Sequence, residues 1–269
     1  MWGPSDGEVV VLLHGLGMSR TTYEPDVVPW LLDKGYRTVG IDLRGHGESP
    51  WADSYRATDY AGDVADLTAD IGVEKAVVVG HSLGGVVAFE LAVEHAELVK
   101  GLFLEDPPLF MGDGEERSSS AIASRLADFA AAIRLWQQQG LSYSDVADEL
   151  SDLPHRNTGE TVMGFFGTRA LEAWATDMIS CDPAAVDAVD LGDLWASFDP
   201  EDPISCPVVV LHAERSLEGA FYPEHSTRFL EAHPHARVVP VANAAHEIHV
   251  PRRGLDVYLA ELEAFLSVL

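Results

Sequence analysis

The chain has 269 residues, 47% of them hydrophobic, enough for one α/β core carrying an insertion and for a large buried interior. Acidic residues number 44 against 17 basic ones, a formal net charge of −27. Such a surface repels phosphate backbones and anionic lipid headgroups, which argues against nucleic-acid and membrane binding.

Taken from the start, Met1-Trp2-Gly3-Pro4-Ser5-Asp6 lacks a basic region followed by an apolar run, so it does not read as a signal peptide. No stretch of about 18 apolar residues is present to span a bilayer. A cytoplasmic location is the expectation. Val9-Val10-Val11-Leu12-Leu13 and Thr38-Val39-Gly40-Ile41-Asp42 read as strands, as do Ala76-Val77-Val78-Val79-Gly80 and Gly101-Leu102-Phe103-Leu104-Glu105. Near-continuous apolar runs of this length suit parallel strands buried on both faces. Helices are predicted between them over 24–34, 59–71 and 82–95. In the second, Tyr60, Val64, Leu67 and Ile71 recur at steps of three and four. Strands alternating with helices predict a parallel sheet.

The texture changes at Pro107-Pro108. Over residues 107–205 no strand-like run appears, and helices are predicted over 125–139 and 143–150, with others between 160 and 194. Pro207-Val208-Val209-Val210-Leu211 restores the strand pattern, followed by a helix over 224–232, a strand over 237–241 and a closing helix over 255–266. The organisation is an α/β core, 1–106 and 206–269, interrupted by a helical insertion. Cys181 and Cys206 sit in no CxxC or Cys/His metal spacing and read as reduced thiols.

Gly80-His81-Ser82-Leu83-Gly84 lies between an apolar strand and a helix. This strand–turn–helix context makes Ser82 a candidate nucleophile, its hydroxyl raised on a sharp turn. The helix N-terminus beneath it favours developing negative charge. A tetrahedral intermediate needs two N–H donors. The N–H of Leu83 is one candidate, and that of Leu16, in His14-Gly15-Leu16-Gly17 after the first strand, is the other. His14 itself reads as structural.

These stretches, with Asp42-Leu43-Arg44-Gly45-His46-Gly47-Glu48-Ser49 and Ala244-Ala245-His246, resemble the α/β-hydrolase superfamily, close to its capped esterases and lactonases. The resemblance implies an eight-stranded, mostly parallel sheet with a helical lid, and residues 107–205 stand where that lid belongs. Only about eight residues precede Val9, so the first two strands are either missing or reduced to a vestige. Their loss would leave a bare sheet edge for a partner subunit, such as a second copy, to cover. The resemblance further implies that His246 is the catalytic base, preferred to His249 because a small-residue turn precedes it. Arg44 and His46 belong to a structural turn.

The acid stays open between two residues. The family most often places it in a glycine-x-x-aspartate turn after a late strand, but here Ala213 and Ser216 occupy those positions, leaving only the misplaced Glu214. Other subfamilies take it from the strand before the lid, where Asp106 stands 24 residues after Ser82. Asp106 is preferred, with Glu214 the alternative.

The insertion is rich in aromatic residues. Trp136, Phe165 and Trp174 are the candidate pocket contacts, for a hydrophobic or ring-bearing substrate. The expected chemistry is hydrolysis of a small hydrophobic carboxylic ester or lactone through an acyl-enzyme, without metal or organic cofactor. Epoxide hydrolase and haloalkane dehalogenase chemistry need a carboxylate nucleophile at the turn, where this chain has Ser82. Carbon–carbon bond hydrolase, thioesterase, acyltransferase and non-hydrolytic sensor or cyclase readings remain open on the same residues.

Overall fold

Apolar runs too short for helices become the strands of one sheet. The computed structural model describes residues 1–250 and 254–269. Strands β1 (Val9–Leu13), β2 (Arg37–Ile41), β3 (Ala76–His81), β4 (Val99–Glu105), β5 (Val208–His212) and β6 (Arg237–Pro240) pair throughout in parallel, in the order β2-β1-β3-β4-β5-β6. Successive side chains on a strand point to opposite faces, and here both faces are covered. Val10, Leu12, Val77, Val79 and Phe103 pack with Tyr23, Tyr258 and Leu262 on one side. Val11, Leu13, Val78, Leu102 and Leu104 pack on the other with Tyr60, Val64, Val86 and Phe89. Each fully buried side chain of this size contributes about 1.5–3 kcal/mol.

Helices α1 (Val27–Asp33) and α11 (Leu255–Leu266) cover the first face, and α2 (Ala57–Asp70), α3 (Leu83–Glu94) and α10 (Pro223–Ala232) the second. Two helical expectations shift. The helix predicted over 24–34 is a 3₁₀ turn at Arg20–Tyr23 followed by α1, separated by Asp26 at φ −130°. In α2 the buried stripe is Ala57, Tyr60, Ala61, Val64, Ala65 and Thr68, while Leu67 faces solvent. Small residues make that stripe close-packed, and hydropathy alone overrated Leu67.

The sheet has six strands among the described residues where the resemblance implied eight. Ahead of β1 there is a single antiparallel bridge. Trp2 and Thr38 exchange two backbone hydrogen bonds of 2.9 Å, so Trp2 lies against the outer edge of β2.

Between β4 and β5 the chain forms α4 (Gly114–Ser119), α5 (Leu126–Gln139), α6 (Tyr143–Ser151), α7 (Val162–Phe166), α8 (Thr168–Ser180) and α9 (Pro183–Leu191). Their apolar faces, with Ile133, Val146, Leu171 and Met178, join the core of the α2/α3 face. Among the described residues no helix is long and apolar enough to cross a membrane.

Close approach of α3 to β1 depends on Gly84. A Cβ there would lie 2.1 Å from the carbonyl oxygen of Leu13 and 2.7 Å from that of His14. Gly84→Ala is expected to cost about 2–4 kcal/mol, lowering the melting temperature by about 5–15 °C. Gly62→Ala, inside α2 with nothing within 4 Å of its added methyl, is expected to raise it by about 2–4 °C. Thermal unfolding followed by circular dichroism measures both.

Candidate active site

Ser82 sits between the end of β3 and the first residue of α3, at φ 51° and ψ −115°. A non-glycine residue in this region carries about 1–3 kcal/mol of strain, tolerated only where the surroundings hold it. They do so here through backbone bonds: Ser82 N–H donates to Glu105 O at 2.9 Å, and Gly84 N–H donates to His14 O at 3.0 Å. The turn thus lifts the Ser82 hydroxyl off the carboxyl end of the sheet.

The Ser82 hydroxyl lies 2.8 Å from His246 Nε2, and His246 Nδ1 lies 2.6 Å from Asp106 Oδ2. A carboxylate only accepts, so Nδ1 carries the proton and Nε2 is free to accept from Ser82. Asp106 is fully buried, just past β4, at φ 43°. Burial pushes its carboxyl up, but His246 and backbone N–H groups outweigh this and hold it below its ordinary value. The donors are Ala213 (3.1 Å), Ala220 (2.7 Å) and Phe221 (3.1 Å).

Glu214 does not meet His246. Its Oε1 accepts the N–H of Asn243 at 2.8 Å, and its own N–H donates to Ala244 O at 3.0 Å. The alternative acid is therefore a brace on the loop that carries the histidine. The reason is directional: after β5 the chain wraps its N–H groups around Asp106 and turns the Glu214 carboxylate outward.

His14 is buried and its Nε2 accepts the N–H of Leu43 at 3.0 Å, tying the loop after β1 to the end of β2. Arg44 pairs with Asp63, and His46 is buried with Nδ1 bonded to Arg44 O. Leu16 and Leu83 line the same cavity as Ser82.

That cavity has a volume of about 290 Å³ and mostly apolar walls, including Met111, Leu126, Phe129 and Met178. Of the predicted contacts, Trp136 and Trp174 line it. Phe165 does not: its ring stacks on His155 at 3.7 Å and faces a second, larger cavity of about 850 Å³ that does not include Ser82. Trp174 borders both.

One wall is charged, which the sequence reading missed. Arg125, His155 and Arg156 from the insertion line it together with Glu247, directly after His246. Arg156 pairs with Glu247 at 2.5 Å and approaches Glu218 at 3.7 Å, and Arg125 pairs with Glu218 at 2.7 Å. Burial raises the Glu247 carboxyl, yet Arg156 and its neighbours draw it well below the usual range. Burial lowers His155 to about 4, so it is neutral. The signal available was adjacency: Glu247 follows the histidine as His81 precedes the serine.

The sequence model of the family described as alpha/beta hydrolase fold matches residues 8–252. Epoxide hydrolase B of Mycobacterium tuberculosis is 32% identical over 232 residues, 81% of this chain and 61% of that protein. The sn-1-specific diacylglycerol lipase ABHD11 of Mus musculus is 24% identical over 241 residues, 89% of this chain and 75% of its own. The chain spans less than two thirds of the length of the first curated relatives it matches. A solved esterase from a marine microorganism is similar in fold, with a TM-score of 0.77 at 19% identity over 98% of this chain and 97% of that one.

Asp177 of α8 lines the larger cavity and is buried against the core. Burial raises its carboxyl to about 7, helped by Asp42 and opposed by Ser19 and Arg20. In the native state it holds its proton at pH values where the unfolded chain has lost it, so stability falls as pH rises from about 4 to about 7. Asp177→Asn is expected to raise the melting temperature at pH 8 by several degrees and much less at pH 5. Calorimetry at both pH values checks the sign.

Proposed function

We propose that this chain, which belongs to the α/β-hydrolase family, is a serine hydrolase that cleaves a small hydrophobic carboxylic ester or lactone. The observation that carries this reading is the continuous hydroxyl–imidazole–carboxylate chain of Ser82, His246 and Asp106, at 2.8 and 2.6 Å.

In this reading Ser82 Oγ attacks the carbonyl carbon while His246 Nε2 takes its proton. Asp106 fixes the tautomer and stabilises the imidazolium. The N–H groups of Leu16 and Leu83 receive the oxyanion. His246 then protonates the leaving alkoxide, and an acyl group remains on Ser82. Water, deprotonated by the same imidazole, attacks the acyl-enzyme and regenerates the serine. No step calls for a metal or an organic cofactor.

The apolar cavity of about 290 Å³ supports a substrate with a compact hydrophobic acyl or ring portion. The activity named for the epoxide hydrolase relative does not carry over, because it needs a carboxylate nucleophile where Ser82 stands.

The test is hydrolysis of p-nitrophenyl esters of graded acyl length. Short to medium chains are expected to be preferred. Ser82→Ala is expected to lower kcat by about 10⁵-fold or more. Asp106→Asn should lose about 10³- to 10⁴-fold, and Glu214→Gln less than about tenfold. Full activity in Asp106→Asn with a thousandfold loss in Glu214→Gln would refute the assignment of the acid. Absence of turnover together with absence of fluorophosphonate labelling at Ser82 would refute the hydrolase reading.

A further inference from the structure

Beneath the three residues of the proposed site lies a second set of polar side chains, fully or nearly fully buried, that the hydrolytic steps do not use. Each is the neighbour of one of the three. Glu105 precedes Asp106, His81 precedes Ser82, and His249 follows His246 by three residues. Glu105 accepts two hydrogen bonds from His249, one from its N–H at 2.8 Å and one from Nδ1–H at 2.7 Å. His249 Nε2 in turn accepts from the Thr22 hydroxyl at 3.0 Å. The Tyr23 ring stacks on His249 at 4.7 Å. His81 lies between the two histidines, 4.8 Å from His246 and 5.2 Å from His249, and its Nε2–H donates to His246 O at 3.2 Å.

We propose that Glu105 and His249 are a positioning pair that holds His246 in line between Ser82 and Asp106. The inference rests on the serine-hydrolase reading above. The loop after β6 carries His246 and must be held on both sides of it. Glu214 holds its start through Asn243, and Glu105 holds its far side through His249. Because Glu105 and Asp106 are consecutive at one strand end, a single rigid element fixes both the partner of His246 and the anchor of its loop. A misplacement of about 1 Å in such an arrangement costs about a hundredfold in rate.

Burial also argues for the role. Glu105 is fully buried and His249 is 1% exposed. A carboxylate there carries a desolvation penalty that an apolar pair of similar volume would avoid. Phe103 and Tyr258, buried on the same face of the sheet with Tyr258 beside His249, show that largely apolar side chains fit this environment. What the ionic pair adds over an apolar one is direction: two hydrogen bonds to one residue define where the loop passes.

The decisive variant is Glu105→Leu/His249→Leu, which removes both polar side chains together and leaves no orphaned charge to unfold the protein. On a p-nitrophenyl ester its kcat is expected to fall about 10- to 100-fold, with KM within about twofold. His249→Asn keeps an N–H donor for Glu105 and is expected to retain kcat within about threefold. The downfield Nδ1–H proton resonance of His246 should shift in the double variant and persist in His249→Asn. Unchanged kcat in the folded double variant overturns the proposal, as does equal loss in His249→Asn. So does His249-dependent phosphonylation of Thr22 in Ser82→Ala protein, which would make Thr22–His249–Glu105 a second nucleophilic centre. Ester hydrolysis that survives Ser82→Ala without phosphonylation of Thr22 would instead refute Ser82 as the nucleophile, so the two failures are distinct.

Discussion

The end of β4 carries two consecutive buried carboxylates, and the site depends on how they are neutralised. Neighbouring residues on a strand point to opposite sides. Glu105 still lies within the strand, while Asp106 leaves it at φ 43°. Two like charges this close, out of water, would destabilise the fold unless each found donors. Asp106 collects three backbone N–H groups from the stretch after β5 together with the His246 imidazole. Glu105 collects the N–H and the ring N–H of His249. The segments on both sides of β6 are therefore folded by the need to satisfy one strand end. His246 comes to Ser82 as a consequence.

The same accounting governs the contact between the insertion and the core. The chain is strongly acidic, so the placement of its arginines is informative. Arg125 and Arg156 leave the insertion to meet Glu218 and Glu247 of the core beside the cavity. Elsewhere the seam combines apolar contacts continuous with the core of the α2/α3 face with hydrogen bonds such as Tyr55 hydroxyl to Asp182 and Trp51 Nε1–H to Ser180 O. Apolar burial supplies most of the attraction and is indifferent to orientation. The ion pairs add direction, since breaking one would strand the nearly buried Glu218 or Glu247.

What could be read from the sequence was whatever the backbone demands locally. Gly80 and Gly84 are fixed by the approach of α3 to β1 and β3, so the turn that raises Ser82 is written in a few consecutive letters. The small residues before His246 are similarly local. The choice between Asp106 and Glu214 was not. Which of the two meets His246 follows from where the N–H groups of Ala213, Ala220 and Phe221 point, which is a property of a folded loop and not of any spacing. Phe165 was misread for a related reason: an aromatic residue in an insertion has several apolar neighbours to choose from, and His155 offers a flat partner at 3.7 Å. Leu67 shows the same limit in a helix, where the exposed side of α2 accepts an isolated apolar residue without consequence.

The strained backbone at Ser82 sits in a stretch that is buried without a break. About 1–3 kcal/mol stored in one residue's backbone would relax by local unfolding if its neighbours were loose. Here the residues on either side, from Ala76 to Ala92, are buried without a break, and the turn is hydrogen-bonded to both flanking strand ends. Relaxing Ser82 would mean parting β3 from β4 and α3 from β1, at the loss of far more apolar burial than the strain returns. A sheet buried on both faces is therefore a condition for holding a hydroxyl in this position, and the parallel arrangement supplies it where the strands end.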